Sequence, residues 1–470
     1  MAAISNIAVA FAGKVPVNLN FTLSAEAFDS CVKQCNMRTI ITSRAFLEKA
    51  GIAAKPEMVL LEDIKQKISP VKSVLYLLSA FLLPKWLLSA LFVHGDKLNV
   101  DDVATVIFSS GSTGEPKGVL LTHANVFSNI ESLYQVFNIR RDDVVVAALP
   151  FFHSFGFTAT MCFPIGTAVG VVYHTNPLDA GTIGKLAAKY KGTLLMGTPT
   201  FMSAYVKKCS KEQFASVRMA VVGAEKLKEP LANAFKEKFG IVPFEGYGAT
   251  ELSPIVTVGF PNYVNDAAME EQIGHKFGKV GHPIPGVAVK VVDPDTFEIK
   301  GANEEGLLLV KGANVMKGYL NNPGKTAEVL KDGWYITGDI ATIDEDGFIK
   351  ITDRLSRFSK IGGEMVPHIK VEENIMEALG ATDPVVAVTA VADEKKGERL
   401  VVLHAIDMDI DAVCESLTRK GIPNLWIPKK DSFFRVEAIP VLGTGKTDLK
   451  RVKALAQELA AAANIGGPNA

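Results

Sequence analysis

The run Ser109-Ser110-Gly111-Ser112-Thr113-Gly114-Glu115-Pro116-Lys117-Gly118 directly follows the apolar stretch Ala104–Phe108. Small residues let a backbone approach phosphate oxygens, hydroxyls donate hydrogen bonds and a lysine adds charge, so its chemistry is phosphate binding. A Walker A loop carries glycine before its lysine and Ser or Thr after it. Pro116 and Gly118 stand there instead, which excludes a P-loop NTPase. Further chemistry-bearing strings follow: Pro150-Phe151-Phe152-His153-Ser154, Gly223-Ala224-Glu225-Lys226-Leu227, and Gly246-Tyr247-Gly248-Ala249-Thr250-Glu251. Beyond them lie Trp334-Tyr335-Ile336-Thr337-Gly338-Asp339, Asp353-Arg354, Lys360-Ile361-Gly362-Gly363-Glu364 and Gly443-Thr444-Gly445-Lys446. Singly, each has a bland reading. An Asp in a Gly-Asp pair is usually a turn former, a lysine after Gly-Thr-Gly usually solvated, and a histidine among phenylalanines usually a core residue.

The elements that must position these strings alternate regularly from about residue 100. Apolar runs at Ala104–Phe108, Val144–Leu149, Leu194–Met196, Ala220–Val222 and Val242–Glu245 each end in a polar loop, with helical stretches between. Strand, loop and helix in repetition predict βαβ units and a mostly parallel sheet, whose ligands sit at the carboxyl ends of the strands. After about residue 275 the texture becomes strands with tight turns. Val287–Val292, Gly306–Val310, and Ile340–Ile343 joined to Phe348–Ile351 through Asp344-Glu345-Asp346-Gly347 predict an antiparallel module. Past Asp353 come the strand-like Val385–Val391 and Leu400–Ala405 and a helix near Ala412–Lys420. The fold class expected is therefore α/β. A large domain over 1–353, with a β-rich module at about 275–353, precedes a small α+β domain over 354–470.

Composition bounds the function. Hydrophobic residues are 48% and charged residues 21%, against about 25% charged in an average chain, so disorder is excluded. Lys plus Arg (50) balances Asp plus Glu (51), leaving no basic footprint for nucleic acid. Five scattered cysteines make no disulfide framework and suit a reducing compartment; Cys31 and Cys35 read as two buried thiols. Met1–Gly13 lacks the basic leader of an export signal. Residues 74–93, VLYLLSAFLLPKWLLSALFV, are long enough to cross a bilayer, but Pro84 and Lys85 interrupt them. Two short helices in the membrane interface, with Trp86 as an anchor and Lys65, Lys67, Lys72 and Lys97 flanking, fit better; a pair of core helices is the alternative. The location expected is cytoplasmic, peripheral at the inner face of the cell membrane.

Taken in order over residues 105–450, the strings resemble the AMP-forming adenylating superfamily of acyl-CoA synthetases, luciferases and peptide-synthetase adenylation domains. PFFHSFG, VVGAEKL, EGYGATEL, RFSKIGGEMV and VLGTGK resemble most the synthetase half of bacterial 2-acylglycerophosphoethanolamine acyltransferase/acyl-ACP synthetase. The resemblance implies ATP and Mg²⁺, with Ser110, Gly111, Ser112, Thr113, Gly114 and Lys117 holding phosphates. It implies Glu251 on the metal, Thr250 on the α-phosphate, and Lys446 reaching the carboxylate and α-phosphate oxygens from a mobile small domain. Asp339, assisted by Arg354, would take the ribose; Tyr247, beside Gly248, would stack on adenine, with Gly223, Ala224 and Glu225 as the opposite wall; His153 would gate the acyl end.

The activity implied is activation of a medium- or long-chain fatty acid and its transfer to the phosphopantetheine thiol of acyl carrier protein. Coenzyme A as acceptor, or an inactive membrane-associated remnant, are the alternatives. Arg354, Arg357, Lys360, Lys446, Lys450, Arg451 and Lys453 form a basic group that suits an acidic carrier, or a merely solvated face. Ser356 stands where the family's hinge residue is commonly Asp or Lys. No acyltransferase His-x₄-Asp motif is found, so lysophospholipid transfer would need a partner chain. Relatives usually carry a further stretch before the part matching Val9-Ala10, so the chain is expected to start inside the first βαβ region and to expose apolar surface there.

Overall fold

A computed structural model describes residues 1–93, 99–109, 115–265, 270–362, 364–381, 385–393, 396–441 and 447–465. Its centre is a seven-stranded sheet in the order His282–Pro283, Ile255–Val258, Pro243–Gly248, Met219–Val222, Leu194–Gly197, Val144–Ala147, Gly170–Tyr173. The last five run parallel in register, for example Leu195 against Ala220 and Val221 against Phe244. Leu194–Gly197 and Met219–Val222 are buried at every position, which is why they read as continuous apolar runs rather than alternating ones. Helices Ala180–Lys189, Pro199–Lys208 and Glu229–Phe239 cover the sheet. Ile183, Met202, Tyr205, Phe214 and Phe235, all essentially inaccessible, pack there against Leu195, Ala220 and Val222.

Two sequence expectations are corrected. The strand Val103–Ser109 does not open a βαβ unit: it pairs antiparallel with Lys117–Thr122, Ser109 opposite Lys117, and Gly318–Tyr319 adds a third strand. The described ends of the phosphate-loop string, Ser109 and Lys117, thus face each other across an antiparallel pair, and the element that follows the string is a strand rather than a helix. Likewise Pro243–Gly248 is followed by a 3₁₀ turn, Thr250–Leu252, and an antiparallel partner, Ile255–Val258, instead of a helix.

The β-rich module is a sheet in the order Val287–Val292, Gly306–Gly312, Trp334–Ile343, Leu330–Lys331, with Ile349–Arg354 beside Trp334–Ile343. Contacts group the chain into two compact units. One comprises Met1–Glu304, Leu308–Thr337 and Thr342–Lys350; the other Glu305–Leu307, Gly338–Ala341 and Ile351–Ala470. The second is built on Val386–Asp393 paired antiparallel with Gly397–His404 over eight positions, with helices His368–Ala378 and Ile410–Arg419 on one core and Leu449–Ile465 on another.

Near the start, helix Ala2–Phe11 and the following segment leave Ile4, Phe11, Val15 and Phe21 exposed. Residues 70–93 form two helices, Pro70–Leu82 and Lys85–Phe92, broken at Pro84 as the sequence indicated. Neither buries a residue, which overturns the core-helix alternative. Among the described residues no helix is long and apolar enough to cross a membrane. The cysteines are all free; Cys31 is buried, but Cys35 is only half-buried, so the pair is not a doubly buried one.

Candidate active site

The loops after Val144–Ala147, Leu194–Gly197, Met219–Val222 and Pro243–Gly248 lie at the carboxyl ends of neighbouring parallel strands, and close packing draws them together. A Cβ on Gly223, just past Met219–Val222, would sit 3.5 Å from the Gly246 carbonyl and 3.5 Å from the Phe155 ring. Ser154 donates to the Thr250 hydroxyl at 3.4 Å, joining the histidine-bearing loop to the turn that carries Glu251. The loop 150–156 folds back so tightly that a Cβ on Gly156 would lie 2.1 Å from the Pro150 carbonyl oxygen, and the chain then enters a π-helical turn, Gly156–Cys162. His153 is exposed, its ring 4.6 Å from that of buried Phe152. Ala224 adopts a left-handed φ of 69° on an exposed corner beside Glu225, whose carboxylate accepts from the Thr200 hydroxyl at 2.8 Å. Glu245, one strand over, accepts from the Leu227 amide at 3.1 Å, and its burial raises its carboxyl above the ordinary range.

Glu251 is held through both its side chain and its backbone. Tyr319 donates its hydroxyl to Oε1 at 2.9 Å, and the Met316 amide donates to the Glu251 carbonyl at 2.8 Å. Tyr335 joins the same network. Burial first, and then the nearby Glu251 charge, push both tyrosine hydroxyls far above their ordinary range, so they remain donors at any physiological pH. Beneath the turn, Asn314 donates to the Leu252 and Ile255 carbonyls at 3.1 Å, and Asn129 both accepts from and donates to Ile255 at 2.8 and 3.1 Å. The turn packs on Lys117–Thr122, the outgoing arm of the phosphate-loop hairpin. Lys117 itself sits over the Tyr319 ring, 5.9 Å from its centroid. A hard cation that keeps most of its ligands as water and phosphate oxygens needs only one or two protein carboxylates. A braced single carboxylate beside Lys117–Thr122 fits Mg²⁺, and no cluster of three metal-ligating side chains occurs among the described residues.

Gly248 is exposed, and a Cβ there would lie 1.9 Å from the Pro254 carbonyl oxygen; Tyr247 is half-buried on the same strand, opposite Thr257. In the second unit, Asp339 is buried, and the exposed Arg354 places Nε 3.1 Å from Oδ1. Gly338, with φ 74° and open space at its Cβ, is there for the backbone conformation rather than for room. Arg357 is withdrawn from the basic group: it is ion-paired with Glu372, both largely covered. Asp353 is buried and accepts from the Ile369 amide at 3.2 Å, and burial pushes its carboxyl up to about 6. His368 is buried 2.7 Å from the Ser359 hydroxyl, and burial pushes its imidazole down to about 3. Ser110, Gly111, Ser112, Thr113, Gly114 and Lys446 lie outside the described residues. Tyr319, Asn129 and Asn314 were not singled out from sequence, where each stands in no chemical string; Ser154 closes one, but its bond to Thr250 has no sequence signal.

The AMP-binding enzyme family profile matches residues 2–320. The long-chain-fatty-acid–CoA ligase of Salmonella typhimurium is 29% identical over 93% of this chain and 80% of its own, and 4-coumarate–CoA ligase 1 of Arabidopsis thaliana 28% identical over 96% and 80%. The ATP-bound crystal structure of MatB from Rhodopseudomonas palustris superposes with a TM-score of 0.77 at 24% identity, covering 97% of this chain and 87% of that one, and so shares the fold. The chain belongs to the AMP-binding enzyme family. It is an AMP-forming acid–thiol ligase, with ATP as the activating nucleotide and Mg²⁺ as its counter-ion.

Proposed function

We propose that the chain activates a medium- or long-chain fatty acid as its acyl-adenylate and passes the acyl group to the phosphopantetheine thiol of acyl carrier protein. The observation that carries the first half is Glu251, braced by Tyr319 beside the phosphate-loop hairpin. In that step a carboxylate oxygen attacks the α-phosphorus of ATP, the α–β anhydride bond breaks and pyrophosphate leaves. Two anions must meet, so the protein has to offset charge and hold an in-line geometry. In this reading Ser110 through Gly114 and Lys117 hold the phosphates, and Glu251 holds Mg²⁺, which when bound offsets phosphate charge. Thr250 bonds the α-phosphate, and Lys446 reaches the reacting oxygens from a small domain over 354–470. Tyr247 and the Gly223–Glu225 wall enclose adenine, Asp339 accepts from the ribose hydroxyls with Arg354 orienting it, and His153 stands at the acyl end. In the second step the thiol sulfur attacks the acyl carbonyl, the bond to AMP breaks, and the thiol proton goes to solvent.

The exposed Lys360, Lys450, Arg451 and Lys453 suit an acidic carrier protein. Coenzyme A is the second reading, favoured by the long-chain-fatty-acid–CoA ligases among the relatives. The test is pyrophosphate release with ATP, Mg²⁺ and palmitate, adding each acceptor in turn. Release that requires palmitate and is abolished by Lys446→Ala supports adenylation; its absence overturns it. Stimulation chiefly by carrier protein supports the first acceptor, stimulation chiefly by coenzyme A the second.

A further inference from the structure

We propose that the helix pair Pro70–Leu82 and Lys85–Phe92 lies in the headgroup–acyl boundary of an anionic membrane and holds the enzyme there peripherally. The two helices fold back on each other at Pro84, with Tyr76 and Phe92 in edge contact at 5.7 Å and a groove of about 340 Å³ between Tyr76, Ala80, Leu88 and Phe92. Neither buries a residue, so the apolar side chains face outward: Phe81 is 79% exposed, Leu82 75% and Trp86 71%. A contiguous apolar face of this kind on a soluble fold marks a binding surface.

Three observations select a lipid surface as its occupant. At 13 and 8 residues the helices are about 20 and 12 Å long, too short for a hydrocarbon core of about 30 Å but suited to lying in its boundary. The hydroxyls of Ser73 and Ser79 donate to the carbonyls of Ser69 and Leu75, so these polar groups are satisfied within the chain and tolerate an apolar surround. Residues 64–93 carry four lysines (Lys65, Lys67, Lys72, Lys85) and no acidic residue. Charge of one sign complements anionic headgroups. A second copy of this chain would bring the same lysines to the same face, and repulsion disfavours that pairing. Trp86, next to Lys85 at the bend, is placed as an interfacial anchor.

The test is flotation of the full chain with vesicles of phosphatidylcholine alone and with phosphatidylglycerol added. The expected result is binding that needs the anionic lipid, weakens with salt, and falls about tenfold or more in Phe81→Ser/Trp86→Ser and in Lys65→Glu/Lys67→Glu/Lys72→Glu. Both variants should keep the wild-type melting temperature and the wild-type rate of pyrophosphate release with a water-soluble fatty acid, since the altered residues are surface ones outside the site. Flotation is read without acyl activation, so its outcome is separate from that of the proposed reaction. A wild-type chain that stays unbound overturns the proposal, as does an apolar variant that floats equally well. A wild-type dimer that the apolar variant breaks, with no flotation of either, would assign the face to a second copy and overturn it as well.

Discussion

The bond from Tyr319 to Glu251 makes the clearest demand on a single atom. Phenylalanine keeps the ring and removes the hydroxyl that fixes one carboxylate oxygen. A hydrogen bond to a charged group contributes about 1.5–3 kcal/mol, and each 1.4 kcal/mol is tenfold in a constant. Tyr319→Phe should therefore lower the unfolding free energy by about 1.5–3 kcal/mol, lower palmitate-dependent pyrophosphate release about tenfold and raise the Mg²⁺ concentration for half-maximal rate. Unaltered Mg²⁺ dependence would separate the bond from the metal. Glu251 was legible because it closes a long chemical string, Gly246 to Glu251. Tyr319 was not: its partner is 68 residues away, and nothing local distinguishes it from a core tyrosine. The basic group was over-read for the reverse reason, since sequence shows Arg357 but not Glu372 folding onto it.

At the scale of elements, glycines give a paired prediction. Gly156→Ala puts a Cβ 2.1 Å from a backbone oxygen that the folded-back loop cannot move, so it should cost about 3 kcal/mol or more and lower the melting temperature. Gly181→Ala, inside helix Ala180–Lys189 with nothing within 4 Å, should instead stabilise by about 0.5–1 kcal/mol. Titration gives another. His368, lowered to about 3, makes the folded second unit bind fewer protons than the unfolded chain, so its contribution grows as pH rises from about 3 to 6.5. Asp353, raised to about 6, acts oppositely, and its contribution is lost as pH rises from about 3.8 through 6. Ser359→Ala with His368→Leu removes a bonded pair together and leaves the Asp353 effect unopposed. Relative to wild type, the variant's stability, measured by denaturant melts, should fall between pH 4 and 6, and a relative rise there would refute this. The strands were legible because buried parallel strands are short apolar runs between turn residues. The hairpin was misjudged because a glycine-rich loop after a strand looks the same whether a helix or a strand follows; only pairing with Lys117–Thr122 decides.

For the molecule as a whole, Asp143 ties the amino ends of the central strands together. It is buried, with Arg218 at 2.9 and 2.6 Å, the Thr193 hydroxyl at 2.7 Å and the Arg140 amide at 2.8 Å. Burial alone would raise its carboxyl, but these partners outweigh it and hold it below the ordinary 3.8. Its contribution is therefore present above about pH 4 and lost as the carboxyl protonates in acid. Arg218→Leu strands that charge and should cost about 3 kcal/mol at pH 7. The gap from wild type should shrink below pH 4; a gap constant with pH would count against the ion pair. Sequence indicated the α/β class through its alternation, while this network, drawn from positions 140, 143, 193 and 218, has no sequence signature.

Gly318–Tyr319 is the third strand beside the phosphate-loop hairpin and also the brace of Glu251. During synthesis the hairpin and the Glu251 turn leave the ribosome well before residue 319 does. A nascent chain shorter than that carries the hairpin strands and Glu251 without the tyrosine that braces the carboxylate. The bracing of Glu251 is thus a late event in the life of each molecule, acquired only once residue 319 has been made.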